Sequence, residues 1–183
     1  MKSKTLTAVL IVTAVLILFG YTLYKQNRIN EQTRANLPYL TAGERIEYFD
    51  LLDQDANQID SSVFSSRRPH FLFIFSRPCS PCDDNIKYWR KMREILKDRV
   101  DFYGIILGDA TTAFNFSEEV GLNFKLYIPV DLDKFIQAMR IKLSYSQTII
   151  YAQDEVKHLK LGKLEGEEAV KIINMAKDLM QKI

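Results

Sequence analysis

The sequence is poor in the residues that most often build ligand sites. Its 183 residues include two cysteines, two histidines and one tryptophan. Two cysteines are too few for the disulfide framework of a small secreted domain, and the two histidines, His70 and His158, are not at a zinc-finger spacing. The formal net charge of +2 gives no basic footprint for nucleic acid. We therefore expect no metal, no cofactor and no nucleic-acid partner.

One long apolar run interrupts an otherwise mixed sequence. Residues 5–24 contain no charged side chain, and about 20 apolar residues in a helix cross a hydrocarbon core of roughly 30 Å. Tyr21 and Tyr24 lie at the far end, where aromatic side chains prefer the membrane interface. No small-residue cleavage site and no cysteine directly follows the run, which favours an uncleaved anchor over a signal peptide. Basic residues on both sides are nearly balanced, so they do not decide the orientation.

The length allows one ordinary domain and an anchor. We predict a membrane anchor at 1–24, a polar linker at 25–42 and a single folded domain at 43–183. In that domain, strand and helix patterns alternate, which indicates an α/β fold with a mixed sheet flanked by helices. The predicted strands are 45–52, 70–76, 100–107, 126–130, 147–152 and 156–161, and the predicted helices are 80–97, 111–121, 132–140 and an amphipathic stretch at 169–180.

The two cysteines lie two residues apart, in Cys79-Ser80-Pro81-Cys82. The motif follows a strand that is apolar enough to be buried on both faces, and it opens a predicted helix. A thiolate at a helix N-terminus lies near the positive end of the helix dipole and near unpaired N–H groups, which stabilise it. Pro81 suits the first helical turn, where its missing N–H is not needed. Arg77 adds a stabilising positive charge, whereas the acidic residues after Cys82 act in the opposite direction.

The predicted exposure of the two sulfurs differs. Cys79 at the helix tip can reach a partner disulfide, and Cys82, one turn inside, can resolve the mixed disulfide that forms. Haem attachment is excluded because Asp83 stands where that motif requires histidine. Two alternatives stay open: a pair of inert buried thiols, and a peroxidatic cysteine, since Ser76 precedes Cys79 by three residues although that pattern has proline where Leu72 stands.

Over residues 40–183 the chain resembles the thioredoxin-like superfamily, and within it the membrane-anchored TlpA/ResA-like thiol–disulfide oxidoreductases. The similarity lies in ERIEYFDLLDQDANQI, FLFIFSRPCSPC, GLNFKLYIPVD and QTIIYAQDEVKHLKLGKL. It implies attack by Cys79, resolution by Cys82, and protein disulfide or dithiol substrates such as apocytochromes c. It also implies a single-pass protein of the bacterial cell membrane, with its thioredoxin-like domain facing the periplasm or the exterior. We expect a monomer.

The chain departs from that family opposite the motif. The family has a cis-proline there, whereas Ser146 is the best match in this sequence, with Tyr145 and Gln147 as alternatives. A cis bond before a residue other than proline costs about 2.5–4 kcal/mol, so we expect a trans bond. The missing proline leaves a second hypothesis open, a thioredoxin-fold docking module with weak or no redox catalysis.

Overall fold

The computed structural model describes residues 12–13, 15–26, 39–66, 68–76, 79–141 and 145–182. The chain divides into two compact units, Met1–Pro38 and Tyr39–Ile183. The described residues of the first unit are helical, and the large apolar side chains among them are exposed. No helix in the described part of the chain combines the length and the apolar character needed to cross a bilayer. Residues 1–11 and 14 of the predicted anchor, and 27–38 of the predicted linker, lie outside the described residues.

Seven strands form one mixed sheet in the second unit. They are β1 (Asp50–Leu52), β2 (Gln58–Asp60), β3 (His70–Ser76), β4 (Asp101–Leu107), β5 (Lys125–Pro129), β6 (Gln147–Ala152) and β7 (Glu155–Leu161). Their order across the sheet is β2-β1-β5-β4-β3-β6-β7. The central strands β3, β4 and β5 are parallel, whereas β1 and β6 run antiparallel to their central neighbours. The predicted mixed sheet is therefore confirmed.

Four helices flank this sheet: α1 (Ser80–Leu96), α2 (Ala110–Val120), α3 (Leu132–Met139) and α4 (Gly166–Gln181). All four predicted helices are confirmed, with boundaries that differ by at most three residues. Gly121 ends α2 in the left-handed region, with φ of 59°, where glycine carries no steric penalty. Asp131 caps α3 as predicted, because its carboxylate accepts a hydrogen bond from the Lys134 N–H at 3.0 Å.

The two faces of the sheet carry separate cores. The motif face takes alternate residues of β3, namely Phe71, Phe73 and Phe75, and is covered by α1, α2 and α4. The opposite face takes Leu72 and Ile74 and is covered by α3 and by a short 3-10 turn, Ser61–Phe64. Since every residue from His70 to Phe75 is buried, the prediction of a central strand buried on both faces is confirmed.

The predicted strand at 45–52 is wrong in its first half. Only Asp50–Leu52 form a strand. Directly before it, the Phe49 N–H donates to the side chain of Ser61 at 3.1 Å rather than to a neighbouring strand. The short polar strand β2 was not predicted. Leu40, in the predicted linker, is 2% exposed and packs in the core of the opposite face.

Candidate redox site

The cysteine motif lies where β3 ends and α1 begins. Cys79 is the N-cap residue of α1, with extended backbone at φ of −147° and ψ of 96°. Its carbonyl accepts the N–H of Cys82 at 3.0 Å and that of Asp83 at 3.4 Å. This geometry places the motif at the carboxyl edge of the parallel strands. The predicted supporting residue Arg77 lies outside the described residues, and Pro81 falls in the first turn of α1.

Cys79 and Cys82 form a disulfide, with their Cα atoms 5.3 Å apart. Cys79 is partly buried against the core of the motif face, whereas Cys82 is 0% exposed. The predicted difference in exposure is therefore present in the structure. Of the two residues, Cys79 is therefore the one in contact with solvent, and Cys82 is enclosed.

The side chain of Cys79, the N-cap residue of α1, makes no capping hydrogen bond. Asp84 in the next turn binds Lys163, with 2.6 Å between the carboxylate oxygen and Nζ. The hydrogen bond and the charge of Lys163 lower the pKa of Asp84, and the same contact raises the pKa of Lys163. Both side chains are about half exposed, so the pair adds little to stability. Its effect is to offset one negative charge near the disulfide.

Ser146 is fully buried and lies against α1. Its hydroxyl accepts a hydrogen bond from Asn85 Nδ2 at 3.0 Å and donates to the Gly162 carbonyl at 3.1 Å. Asn85 Nδ2 also donates to the Gly162 carbonyl at 2.9 Å, and the Leu164 N–H donates to Asn85 Oδ1 at 2.7 Å. Because a backbone N–H only donates and a carbonyl only accepts, these contacts determine the orientation of the amide. We call Asn85, Ser146 and Gly162 the polar cluster.

A second hydrogen bond joins α1 to β6. Trp89 Nε1 donates to Thr148 Oγ1 at 2.9 Å, and its ring stacks on Phe73 with centroids 4.9 Å apart. Trp89 was predicted to be a core residue, which its 0% exposure confirms. Asn85 was not singled out from the sequence. The available sign was a polar residue on the apolar stripe of α1, three residues after Cys82 and four before Trp89.

The two histidines were predicted to be structural and to have satisfied hydrogen bonds, which is only partly correct. His70 Nε2 lies 2.9 Å from Ser66 Oγ, whereas its Nδ1 is 3.6 Å from Asp101 Oδ2, too far for a hydrogen bond. His158 Nε2 has no hydrogen-bond partner among the described residues. Burial lowers the pKa of both histidines, because it disfavours the charged imidazolium.

Solved structures resemble this architecture at low sequence identity. A thiol:disulfide interchange protein from Bacteroides sp. matches at 15% identity with a TM-score of 0.64, over 78% of this chain and 91% of that chain. The thioredoxin domain of a thiol-disulfide oxidoreductase from Bacteroides vulgatus matches at 15% identity with a TM-score of 0.62, over 74% and 96%. The peroxidoxin BcpB from Mycobacterium tuberculosis matches at 16% with a TM-score of 0.63, over 76% and 98%.

The chain has a thioredoxin-like fold. No protein-family model and no curated protein sequence matches it. At these identities the solved structures establish the fold alone, because the same fold carries both disulfide exchange and peroxidase chemistry among them. The chemistry of this thioredoxin-like domain depends on Cys79, Cys82 and the residues around them.

Proposed function

We propose that the protein is a thiol–disulfide oxidoreductase that exchanges disulfides with other proteins through Cys79 and Cys82. One observation carries this proposal: a partly exposed cysteine at a helix N-terminus, whose own side chain makes no capping hydrogen bond, is bonded to a buried cysteine one turn inside. Helix N–H groups and the helix dipole stabilise a thiolate at that position. A disulfide that closes so short a loop restrains the unfolded chain very little, which favours a chemical role over a structural one.

The exchange balances as two displacements. When the protein is oxidised, a partner thiolate attacks the sulfur of Cys79, the Cys79–Cys82 bond breaks, and Cys82 leaves as a thiolate that takes up a proton. A second partner thiolate then attacks the partner's own sulfur in the mixed disulfide and releases Cys79. The partner gains a disulfide, and two electrons and two protons reach the cysteine pair. In the reverse direction Cys79 attacks a partner disulfide and Cys82 resolves it.

We further propose that the protein acts in the cell envelope, held in the bacterial membrane by its N-terminal segment. The uncharged run at 5–24 supports this. So do the apolar side chains of the described helical residues in that segment, such as Leu16, Ile17 and Phe19, which are 62–66% exposed and need an apolar surrounding. An oxidising compartment suits a stable disulfide, so the thioredoxin-like domain would face the periplasm or the exterior, where proteins such as apocytochromes c are candidate substrates.

A trapping experiment tests the exchange. In the full-length Cys82→Ser variant, Cys79 can form a mixed disulfide that no second cysteine resolves. We expect covalent complexes with partner proteins that are visible on non-reducing gels and disappear with dithiothreitol. The matched Cys79→Ser variant, whose remaining sulfur is buried, should trap few or none.

The same variants separate the enzyme from the docking module. A docking module predicts that the Cys79→Ser/Cys82→Ser variant co-purifies the same partners without a covalent bond, and that Cys82→Ser traps nothing. That result would overturn the proposed exchange.

The proposed anchor is tested separately: the full-length protein should stay in the membrane fraction after carbonate washing, and an impermeant thiol reagent added to intact cells should label Cys79 of the Cys82→Ser variant. Release by carbonate would rule out the anchor.

A further inference from the structure

The polar cluster lies directly behind the buried cysteine. Cys82, Asn85 and Trp89 follow one another at spacings of three and four residues, which places them on one stripe of α1. Asn85 and Trp89 bond to Ser146 and Thr148, two residues apart and therefore on the same face of the extended backbone at the start of β6. The helix is thus joined to this strand by two side-chain hydrogen bonds, and the one nearer Cys82 belongs to the polar cluster.

The side chains of the polar cluster are fully buried. Asn85 and Ser146 are each 0% exposed, and both hydrogens of the Asn85 amide and its oxygen have partners. The Gly162 N–H also donates to the Ser146 carbonyl at 2.7 Å, which joins the end of β7 to the start of β6. A buried amide with every group satisfied has one arrangement, because any shift leaves a polar atom without a partner.

The two redox states depend on this cluster to different extents. In the oxidised protein the disulfide holds the first turn of α1 covalently, from Cys79 to Cys82. In the reduced protein that bond is absent, and the position of Cys82 depends on noncovalent contacts of the turn that follows it. Besides the packing of Cys82 in the core of the motif face, those contacts include the three hydrogen bonds of Asn85, to Ser146, Gly162 and Leu164.

We infer that Asn85 and Ser146 are positioning residues for the exchange, which hold Cys82 in place when the disulfide is open and thereby favour the reduced form. This inference rests on the proposed function. Neither residue touches the partner; they act through the position of Cys82. If they stabilise the reduced state more than the oxidised state, their removal makes the disulfide harder to reduce and makes Cys82 a slower resolving thiol.

A glutathione titration of the full-length protein tests this inference. Reduction converts the Cys79–Cys82 disulfide and two glutathione thiols into two cysteine thiols and one glutathione disulfide, so two electrons and two protons are transferred. In Asn85→Leu, which keeps the branched shape of the side chain and removes its hydrogen-bonding groups, we expect the equilibrium constant for reduction to fall about tenfold. For a two-electron couple this equals a shift of about 30 mV to a more negative potential. Ser146→Ala removes one contact of Asn85 and should shift it in the same direction by a smaller amount.

Thr148→Val is the matched control. It also removes a buried hydrogen bond between α1 and β6, but the lost bond lies one turn further from Cys82. We expect it to lower the stability of the oxidised and reduced forms equally, and so to leave the potential unchanged. A second readout, taken before equilibrium, separates positioning from a general loss of stability. After the reduced protein is mixed with glutathione disulfide, the glutathione adduct of Cys79 should persist longer in Asn85→Leu than in Thr148→Val, because only the former slows resolution by Cys82. Mass spectrometry of acid-quenched samples measures this.

The outcomes separate this inference from the proposed function. If the unmodified protein shows no reversible Cys79–Cys82 couple, the proposed function fails. If the couple is reversible but Asn85→Leu and Ser146→Ala change its equilibrium constant no more than Thr148→Val does, the positioning role is overturned. If Asn85→Leu does not fold, Ser146→Ala against Thr148→Val decides the question in the same titration.

Discussion

The N-termini of α1 and α3 differ in what compensates their free backbone N–H groups. Each helix begins with N–H groups that have no partner within the helix. At α3 the carboxylate of Asp131 accepts one of them, from Lys134. At α1 the N-cap residue is Cys79, whose side chain accepts none and is bonded to Cys82 instead. One helix therefore uses its N-terminus for stability, and the other keeps it available to a sulfur.

This difference shows what reactivity requires. A capped N-terminus is more stable by roughly 1 kcal/mol, but its N–H groups and its positive dipole end are already compensated by the capping carboxylate. At α1 no carboxylate stands at the N-cap position, so this positive potential acts on a thiolate of Cys79, although Asp83 in the first turn offsets part of it. We interpret the absence of a carboxylate cap at Cys79 as a small loss of stability that maintains a reactive cysteine.

Exchanging the two kinds of N-cap should produce the largest effect. Cys79→Asp in a Cys82→Ala background gives α1 the type of cap that α3 has. We expect thiol–disulfide exchange, measured as reduction of insulin or of a small disulfide, to fall to the uncatalysed rate, because no thiol is left.

The stability of that variant supplies the comparison. Relative to Cys79→Ala/Cys82→Ala, it should be more stable to urea by about 1 kcal/mol, because the aspartate accepts a free N–H. If the two variants are equally stable, the N-terminus of α1 is already compensated in some other way, and the contrast with α3 is wrong.

Removing the cap of α3 should have an intermediate effect on stability and none on chemistry. Asp131→Ala should cost about 1 kcal/mol in urea unfolding, since the Lys134 N–H loses its acceptor. The potential of the Cys79–Cys82 couple should not change, because α3 covers the opposite face of the sheet. Asp131→Asn keeps an acceptor and should restore most of the stability. A shift in potential with Asp131→Ala would show that the two helix ends are not independent.

The smallest effect is expected from the ion pair beside α1. Lys163→Ala leaves the negative charge of Asp84 uncompensated in the second turn of that helix. The rate of alkylation of Cys79 in the reduced protein at pH 7 should fall by about twofold, and the effect should weaken as salt is added. Asp84→Asn in the Lys163→Ala background should restore the rate. An unchanged rate at low salt would mean that the pair lies outside the electrostatic environment of Cys79.

Local patterns in the sequence were enough to predict most of the helices and strands. The strand His70–Ser76 and the helix beginning at Ser80 could be predicted because their apolar periodicity and the intervening cysteine motif agree. Asp131 could be predicted as an N-cap because capping depends on residues close in sequence. The irregular backbone at 45–49 could not be predicted, since an alternating pattern does not show whether a neighbouring strand is present; the Phe49 N–H donates to the side chain of Ser61 instead.

The candidate redox site also combines features that the sequence predicts with features that only the tertiary structure shows. The sequence by itself determined that Cys79 and Cys82 share one helical turn and that one sulfur is more exposed than the other, because both follow from the spacing within a single helix. Only the tertiary structure decided which groups surround that turn. Asn85 meets Ser146 and Gly162 across 61 and 77 residues of sequence, and no local pattern encodes such a contact. The partners of Asn85 became known only when β6 and β7 were packed against α1.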